Sequence, residues 1–160
     1  MTIAAPEELT FSIEREEDTL ALGARLARLL RPGDLLVLTG QLGAGKTFLA
    51  GAIVHALGHP EDEAVPSPTY SLLVEYPTDP PVAHADLYRL GDASEVELLA
   101  PEDLRRRGYI LLVEWGEGYI FELGKDGVHL FLTTDPRRAR LVALGLRGVE
   151  LLDDLRKQDA

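Results

Sequence analysis

The sequence predicts an α/β fold: a mixed sheet with a parallel core, antiparallel strands added to it, and helices flanking it. Three observations carry that expectation. Leu35-Leu36-Val37-Leu38 and Tyr109-Ile110-Leu111-Leu112-Val113 are short unbroken apolar runs, the pattern of strands buried on both faces of a parallel sheet. Segments with apolar residues at helical spacing alternate with these runs. Other segments alternate apolar with polar residues and are joined by short turns, as antiparallel pairs are.

In chain order, Leu9-Thr10-Phe11-Ser12-Ile13 reads as a strand with Leu9, Phe11 and Ile13 on one face. Glu14 to Leu30 reads as a helix, with Leu22, Leu26, Leu29 and Leu30 in one stripe and acids in the first turn, where the dipole favours them. Arg31-Pro32-Gly33-Asp34 turns into the first buried strand. Phe48, Leu49, Ala52, Ile53, Ala56 and Leu57 recur as a second helix, which Gly58 closes. The connection from Gly58 to Pro68 is rich in proline and acids, and two prolines hold Pro66-Ser67-Pro68-Thr69 extended. Tyr70 to Tyr76 alternates as a strand with Tyr70, Leu72, Val74 and Tyr76 on one face, and Val82 to Tyr88 is its hairpin return after a turn from Pro77 to Pro81.

Ser94-Glu95-Val96-Glu97 matches a capping box and starts a short helix. Pro101 opens another, with Glu102 and Asp103 in its first turn, Arg105-Arg106-Arg107 in its last, and Gly108 ending it. The second buried strand follows and ends in Glu114-Trp115. After a Gly-punctuated segment, Val128 to Leu132 and Arg140 to Leu144 read as strands joined through Thr133 to Ala139, and Val149 to Arg156 as a terminal helix that frays.

Composition sets limits. At 160 residues one domain spanning 1–160 is expected. With no cysteine, neither a disulfide framework nor a Cys-based zinc site is possible. No apolar run reaches membrane-spanning length, and Glu7 and Glu8 stand where a secretory signal needs basic and then apolar residues, so a cytoplasmic protein is expected. A net charge of −11 argues against gripping nucleic acid alone, because that affinity comes mostly from phosphate neutralisation.

Between the first buried strand and its helix lies Gly40-Gln41-Leu42-Gly43-Ala44-Gly45-Lys46-Thr47, a match to the phosphate-loop pattern G-x-x-x-x-G-K-[ST]. It makes the fold one of phosphate-loop (P-loop) NTPase type. Glycines let the backbone approach an anion, and N–H groups from Leu42 to Thr47 can form a nest for phosphate oxygens. Lys46 offers a cation to the β- and γ-phosphates, the Thr47 hydroxyl can ligate Mg²⁺, and the following helix aims its N-terminus at the same anion.

Such a site needs an acid at the end of a second apolar strand, and Glu114 stands there. Asp86, with His84 on the same side of its strand and Tyr88 and Arg89 following, is the other candidate. That group reads either as a device to position water or sense a γ-phosphate, or as a strand-end hydrogen-bond cluster. Trp115 packs against the site, meets a partner or fills the core. Arg105 to Arg107 reads first as a solvated helix end. Arg137, Arg138 and Arg140, in or beside a loop, are candidates to reach nucleotide or a partner.

These motifs together resemble the TsaE family (formerly YjeE). Thr19-Leu20-Ala21-Leu22-Gly23 is similar to that family's first helix, and 40–47 to its phosphate loop, with Gln41 where Asp is usual. Ser67-Pro68-Thr69-Tyr70 matches its S-P-T-[FY] segment, His84-Ala85-Asp86-Leu87-Tyr88-Arg89 its H-x-D-x-Y-R motif, and Glu114-Trp115 its E-W pair. The resemblance implies an ATP- and Mg²⁺-binding ATPase of tRNA threonylcarbamoyladenosine biosynthesis. It implies that the chain works with the TsaB–TsaD heterodimer, reaches tRNA through that complex, and is alone a monomer or weak oligomer. It further implies that Thr47 and Glu114 hold Mg²⁺, that Asp86, Glu114 and Lys46 serve hydrolysis, and that Ser67 to Tyr70 form a switch-like loop. Leu42, Gly43, Ala44, Gly45, Lys46 and Thr47 would bind the nucleotide, with Arg137 and Arg140 as further contacts. A small-molecule kinase and a nucleotide-gated adaptor without turnover are the alternatives; no Arg-bearing lid insertion supports the first.

Overall fold

The computed structural model describes residues 7–158. The first six and last two residues of the domain expected over 1–160 lie outside that range. In chain order the elements are β1 (Glu8–Ser12), α1 (Glu16–Leu29), β2 (Leu35–Thr39), α2 (Lys46–Ala56), β3 (Leu73–Tyr76), β4 (Val82–Asp86), α3 (Ala93–Leu98), α4 (Pro101–Arg106), β5 (Ile110–Glu114), a 3₁₀ turn (Glu117–Tyr119), α5 (Ile120–Leu123), β6 (Gly127–Thr134), β7 (Arg137–Leu144) and α6 (Gly145–Lys157). The strands form one sheet in the order β1-β7-β6-β2-β5-β4-β3.

The sheet has the expected parallel core: β6, β2, β5 and β4 run parallel to one another. Antiparallel partners lie outside it, β3 on β4 at one edge and β7 on β6 with β1 beyond at the other. β2 and β5 are unbroken apolar runs because both their faces are covered. Leu36, Leu38 and Leu112 pack with Leu26 of α1, Leu49 and Ile53 of α2, and Leu152 of α6. Leu35, Val37, Leu111 and Val113 pack on the opposite face with Val96 of α3, Leu104 of α4 and Leu123 of α5.

Several boundaries differ from expectation, each for a physical reason. The strand expected from Tyr70 begins only at Leu73. Tyr70 lies in a turn and is exposed, and Leu72 sits at φ 66, a left-handed conformation that breaks the alternation. The capping box at Ser94 is displaced to Asp92, whose carboxylate accepts from the N–H groups of Ser94 and Glu95. The long connection expected between the last two strands shrinks to Asp135-Pro136, so Arg137 and Arg138 join Arg140 as strand residues.

The terminal helix is longer than expected, running from Gly145 to Lys157. Arg147 forks both oxygens of the buried Asp34 at 2.8 and 2.9 Å and also donates to Leu29 O, while Leu151, Leu152 and Leu155 are buried. Arg105 is not a solvated helix end. Its guanidinium donates to the carbonyls of Gly33, Leu123 and Asp126, tying the entry of β2 to the α5–β6 connection. No helix among the described residues is long and apolar enough to cross a membrane.

Candidate nucleotide site

Parallel strands place side chains at their carboxyl ends, and three such ends meet here. β2 runs into the phosphate loop, β5 ends at Glu114 and β4 at Asp86; Asp86 and Glu114 are register partners on adjacent strands. The loop has the backbone that close approach to an anion demands. Gly43 and Gly45 sit at φ 81 and 105, and a Cβ on Gly40 would stand 2.8 Å from Leu132 O. α2 then begins at Lys46 with no side-chain cap and no acid in its first turn, which suits its N-terminal N–H groups to phosphate oxygens.

Lys46 is 6% exposed. Its ammonium donates to Gly40 O and to Gln41 O and lies 4.2 Å from the centre of the Trp115 ring. Burial pulls the Lys46 pKa below its usual range, against the fields of Glu114, Glu117 and Asp86, which raise it. Trp115 reaches the ammonium because its backbone turns to φ 59 directly after β5. The Thr47 hydroxyl donates to Glu114 Oε1 at 2.9 Å, and His84 Nε2 lies 2.6 Å from Glu114 Oε2. Asp86 Oδ2 accepts from the hydroxyls of Ser67 and Thr69 at 2.9 and 3.2 Å, and Oδ1 from the Tyr88 N–H at 2.9 Å. Leu42, Lys46, Thr47, Asp86, Glu114 and Trp115 thus line one cleft of about 440 Å³.

A second cavity of about 360 Å³ adjoins it, sharing Gly43, Gly45 and Phe48. Ile13, Glu14, Arg15, Glu16, Thr19, Ala44 and Arg137 complete its wall, and Arg137 reaches Ala44 O at 3.5 Å.

Comparison with known proteins bears on the same residues. The family model described as "Threonylcarbamoyl adenosine biosynthesis protein TsaE" matches residues 13–142, which hold the loop, both acids and Arg137. The chain belongs to the TsaE family.

Proteins named tRNA threonylcarbamoyladenosine biosynthesis protein TsaE are similar to it over most of their length. That of Streptomyces coelicolor is 44% identical over 113 residues, 68% of this chain and 74% of its own. That of Mycobacterium tuberculosis is 40% identical over 118 residues, 68% and 69%. That of Aquifex aeolicus is 41% identical over 106 residues, 66% and 74%. The crystal structure of Bacillus subtilis YdiB superposes with a TM-score of 0.79 at 26% identity, covering 99% of this chain and 100% of that one.

Within this TsaE chain not every expected contact is brought to the cleft. Arg137, in the expected connection, and Arg140, at the start of the expected last strand, are both candidates for the nucleotide. In β7 they lie three apart, so alternation sends them to opposite faces. Arg137 lines the second cavity, whereas Arg140 stacks 4.4 Å from the Phe131 centroid and pairs with Glu8 at 3.3 Å, away from both cavities. Arg89 lies over the Tyr70 ring in a separate groove and does not line the cleft. Sequence reasoning did not assign Ile13, Arg15 or Thr19 to a site; no motif marks the first two, and the Thr19 to Gly23 match marked only a helix. It also missed the grip of Ser67 and Thr69 on Asp86, of which the extended S-P-T segment was the one available signal.

Proposed function

We propose that this chain is a Mg²⁺-dependent ATPase that supports threonylcarbamoyladenosine formation on tRNA, acting with the TsaB–TsaD pair. The observation that carries the reading is the convergence of Lys46, the Thr47–Glu114 pair and Asp86 on one glycine-lined cleft. The names of its relatives supply the pathway.

The residues present suit ATP and a metal. The glycine cradle and the first turn of α2 suit the phosphates, and the adjoining cavity beside Arg137 suits the nucleoside. Thr47 and Glu114 would hold Mg²⁺. Among the described residues no group of three His, Asp or Glu could hold a metal, in keeping with a Mg²⁺ site completed by substrate phosphates and water. When bound, the ion would neutralise charge developing on the transferred phosphoryl group.

The chain's own groups do the rest. Lys46 would exchange its two loop carbonyls for phosphate oxygens. Asp86 is held on both oxygens by three donors, so its carboxylate direction is fixed and it can orient a water or accept its proton. Ser67 and Thr69 would carry any movement of the 66–72 segment to that carboxylate.

The test is ATP turnover by the chain alone and with the TsaB–TsaD pair, paired with the threonylcarbamoylated tRNA formed per complex. Slow hydrolysis alone, faster hydrolysis in the complex and repeated rounds only when this chain is present are expected. Equal turnover alone and in the complex, or many rounds without the chain, would overturn the proposal.

A further inference from the structure

We infer that His84 is the positioning residue for Glu114: it holds the carboxylate by Oε2 so that Oε1 is the oxygen presented to Thr47 and to a divalent cation. The inference rests on the proposed role of Glu114 as a metal ligand.

Four observations carry it. His84 is fully buried at the middle of β4, two residues before Asp86 and on the same face of the sheet. Its Nε2 is 2.6 Å from Glu114 Oε2, while Oε1 takes the Thr47 hydroxyl at 2.9 Å, so each oxygen of one buried carboxylate has its own donor. In the inferred arrangement Nε2 is the donor and Oε2 the acceptor. The other ring nitrogen, Nδ1, is buried without a hydrogen-bond partner. A side chain that merely filled this space would need no nitrogen, and the orphaned Nδ1 makes histidine a poorer filler than leucine. The single bond to Glu114 is what the imidazole provides.

The mechanical consequence follows from rotamer freedom. The last torsion of a glutamate is broad and two-fold, so a carboxylate held on one oxygen can swing or exchange its oxygens. With Oε2 anchored by a rigid ring from the neighbouring strand, Oε1 keeps its place when Thr47 turns its hydroxyl hydrogen away to offer a lone pair. Outer partners of this kind change metal affinity by about 10- to 100-fold when removed.

The test uses the full chain with His84→Leu, His84→Gln, His84→Asn and, separately, Glu114→Gln. The readout is Mg²⁺ titrated against binding of a fluorescent ATP analogue, with Mn²⁺ binding followed by electron paramagnetic resonance. His84→Leu should raise the half-saturating Mg²⁺ concentration by about 10- to 100-fold with little change in metal-free nucleotide affinity. His84→Gln, whose amide nitrogen reaches the place of Nε2, should restore much of the loss. His84→Asn, whose amide ends near the place of Nδ1, should not. A filling role predicts the reverse order, with Leu best tolerated.

If Glu114→Gln shifts the Mg²⁺ requirement and His84→Leu does not, the positioning role is overturned and the metal role of Glu114 stands. If neither shifts it, both fall. Should His84→Leu fail to fold, the contrast between Gln and Asn decides, and equal Mg²⁺ requirements in those two would overturn the inference.

Discussion

Replacing Lys46 with methionine should separate binding from stability. The ammonium is almost fully buried, held by Gly40 O and Gln41 O and by the Trp115 face. Its pKa is lowered, chiefly by burial. The folded chain therefore holds this proton less well than the unfolded chain, and stability rises as pH climbs through the folded pKa towards the ordinary value of 10.5. Near neutral pH the charge is a net cost, so removing it releases a desolvation penalty. Against that stands the lost cation–π contact, worth about 0.5–2 kcal/mol, and the loss of a donor to two loop carbonyls that water can reach. The terms oppose each other, and the unfolding free energy should change by no more than about 1 kcal/mol.

Nucleotide binding has no such cancellation. A charge-assisted hydrogen bond to phosphate is worth about 1.5–3 kcal/mol, so ATP affinity should fall about 10- to 150-fold. Urea unfolding without nucleotide and calorimetric titration with Mg²⁺ and ATP are the two assays. A variant that lost more than about 2 kcal/mol of stability yet bound ATP within about threefold of wild type would refute the reasoning and make Lys46 a structural cation of the loop.

Three other expectations follow from particular contacts. Gly23→Ala would put a Cβ 2.6 Å from Ala52 Cβ and 3.2 Å from Ala52 C, forcing α1 from α2 at a cost of about 1–3 kcal/mol; in that background Ala52→Gly should turn from harmful to helpful, read by urea midpoints. Burial lowers the His129 pKa from 6.5, helped by Arg140 and opposed by Glu117, so the folded chain disfavours its protonation. The corresponding stability is complete above the unfolded value and is lost as pH falls through the folded pKa; the difference in unfolding free energy between neutral and mildly acid buffer should be smaller in His129→Leu, and an unchanged difference would count against the assignment. Asp86→Asn keeps an acceptor for the Tyr88 N–H but cannot take a proton. It should slow hydrolysis in the complex by about 100-fold or more while ATP affinity changes little, and lost binding with turnover intact would make Asp86 a ground-state contact.

What could be read from sequence was whatever local pattern encodes. β2 and β5 announce themselves because layers on both faces leave no room for alternation, and the loop and Glu114 follow from their places at strand ends. What could not be read depends on partners far along the chain. The strand expected at Tyr70 is cut short where Ser67 and Thr69, 19 and 17 residues from Asp86, bond to that carboxylate. The His84–Glu114 bond spans 30 residues and exists only because the β4–β5 register sets Asp86 beside Glu114 and His84 one repeat below. Arg137 and Arg140 could be assigned to opposite faces only once the hairpin shrank to two residues and brought Arg137 into the strand that Arg140 was expected to open.

The distribution of charge around the cleft bears on why such a chain would work with partners. Asp86 and Glu114 lie side by side at its floor, and among the described residues Lys46 is the one cationic side chain in its lining. On the proposed reading, two carboxylates facing one ammonium make the cleft a poor receptor for free ATP, and the divalent cation would enter with the nucleotide. A full site would then hold Lys46 and Mg²⁺ against two carboxylates and a triphosphate, still short of positive charge where the transferred phosphoryl group gains negative charge. The arginines that might have served are committed elsewhere: Arg89 over Tyr70, Arg140 over Phe131, and Arg137 at the other cavity. Exposed Leu42, Phe48 and Tyr88 line the cleft with apolar surface but supply no cation. On the proposed reading, a partner that covers this cleft must do two things at once: exclude water and bring a positive side chain, the combination by which activating proteins raise phosphoryl-transfer rates by about 10³- to 10⁵-fold. Whatever free energy that contact contributes to holding ATP returns, by linkage, as tighter association of the ATP-loaded chain with its partner.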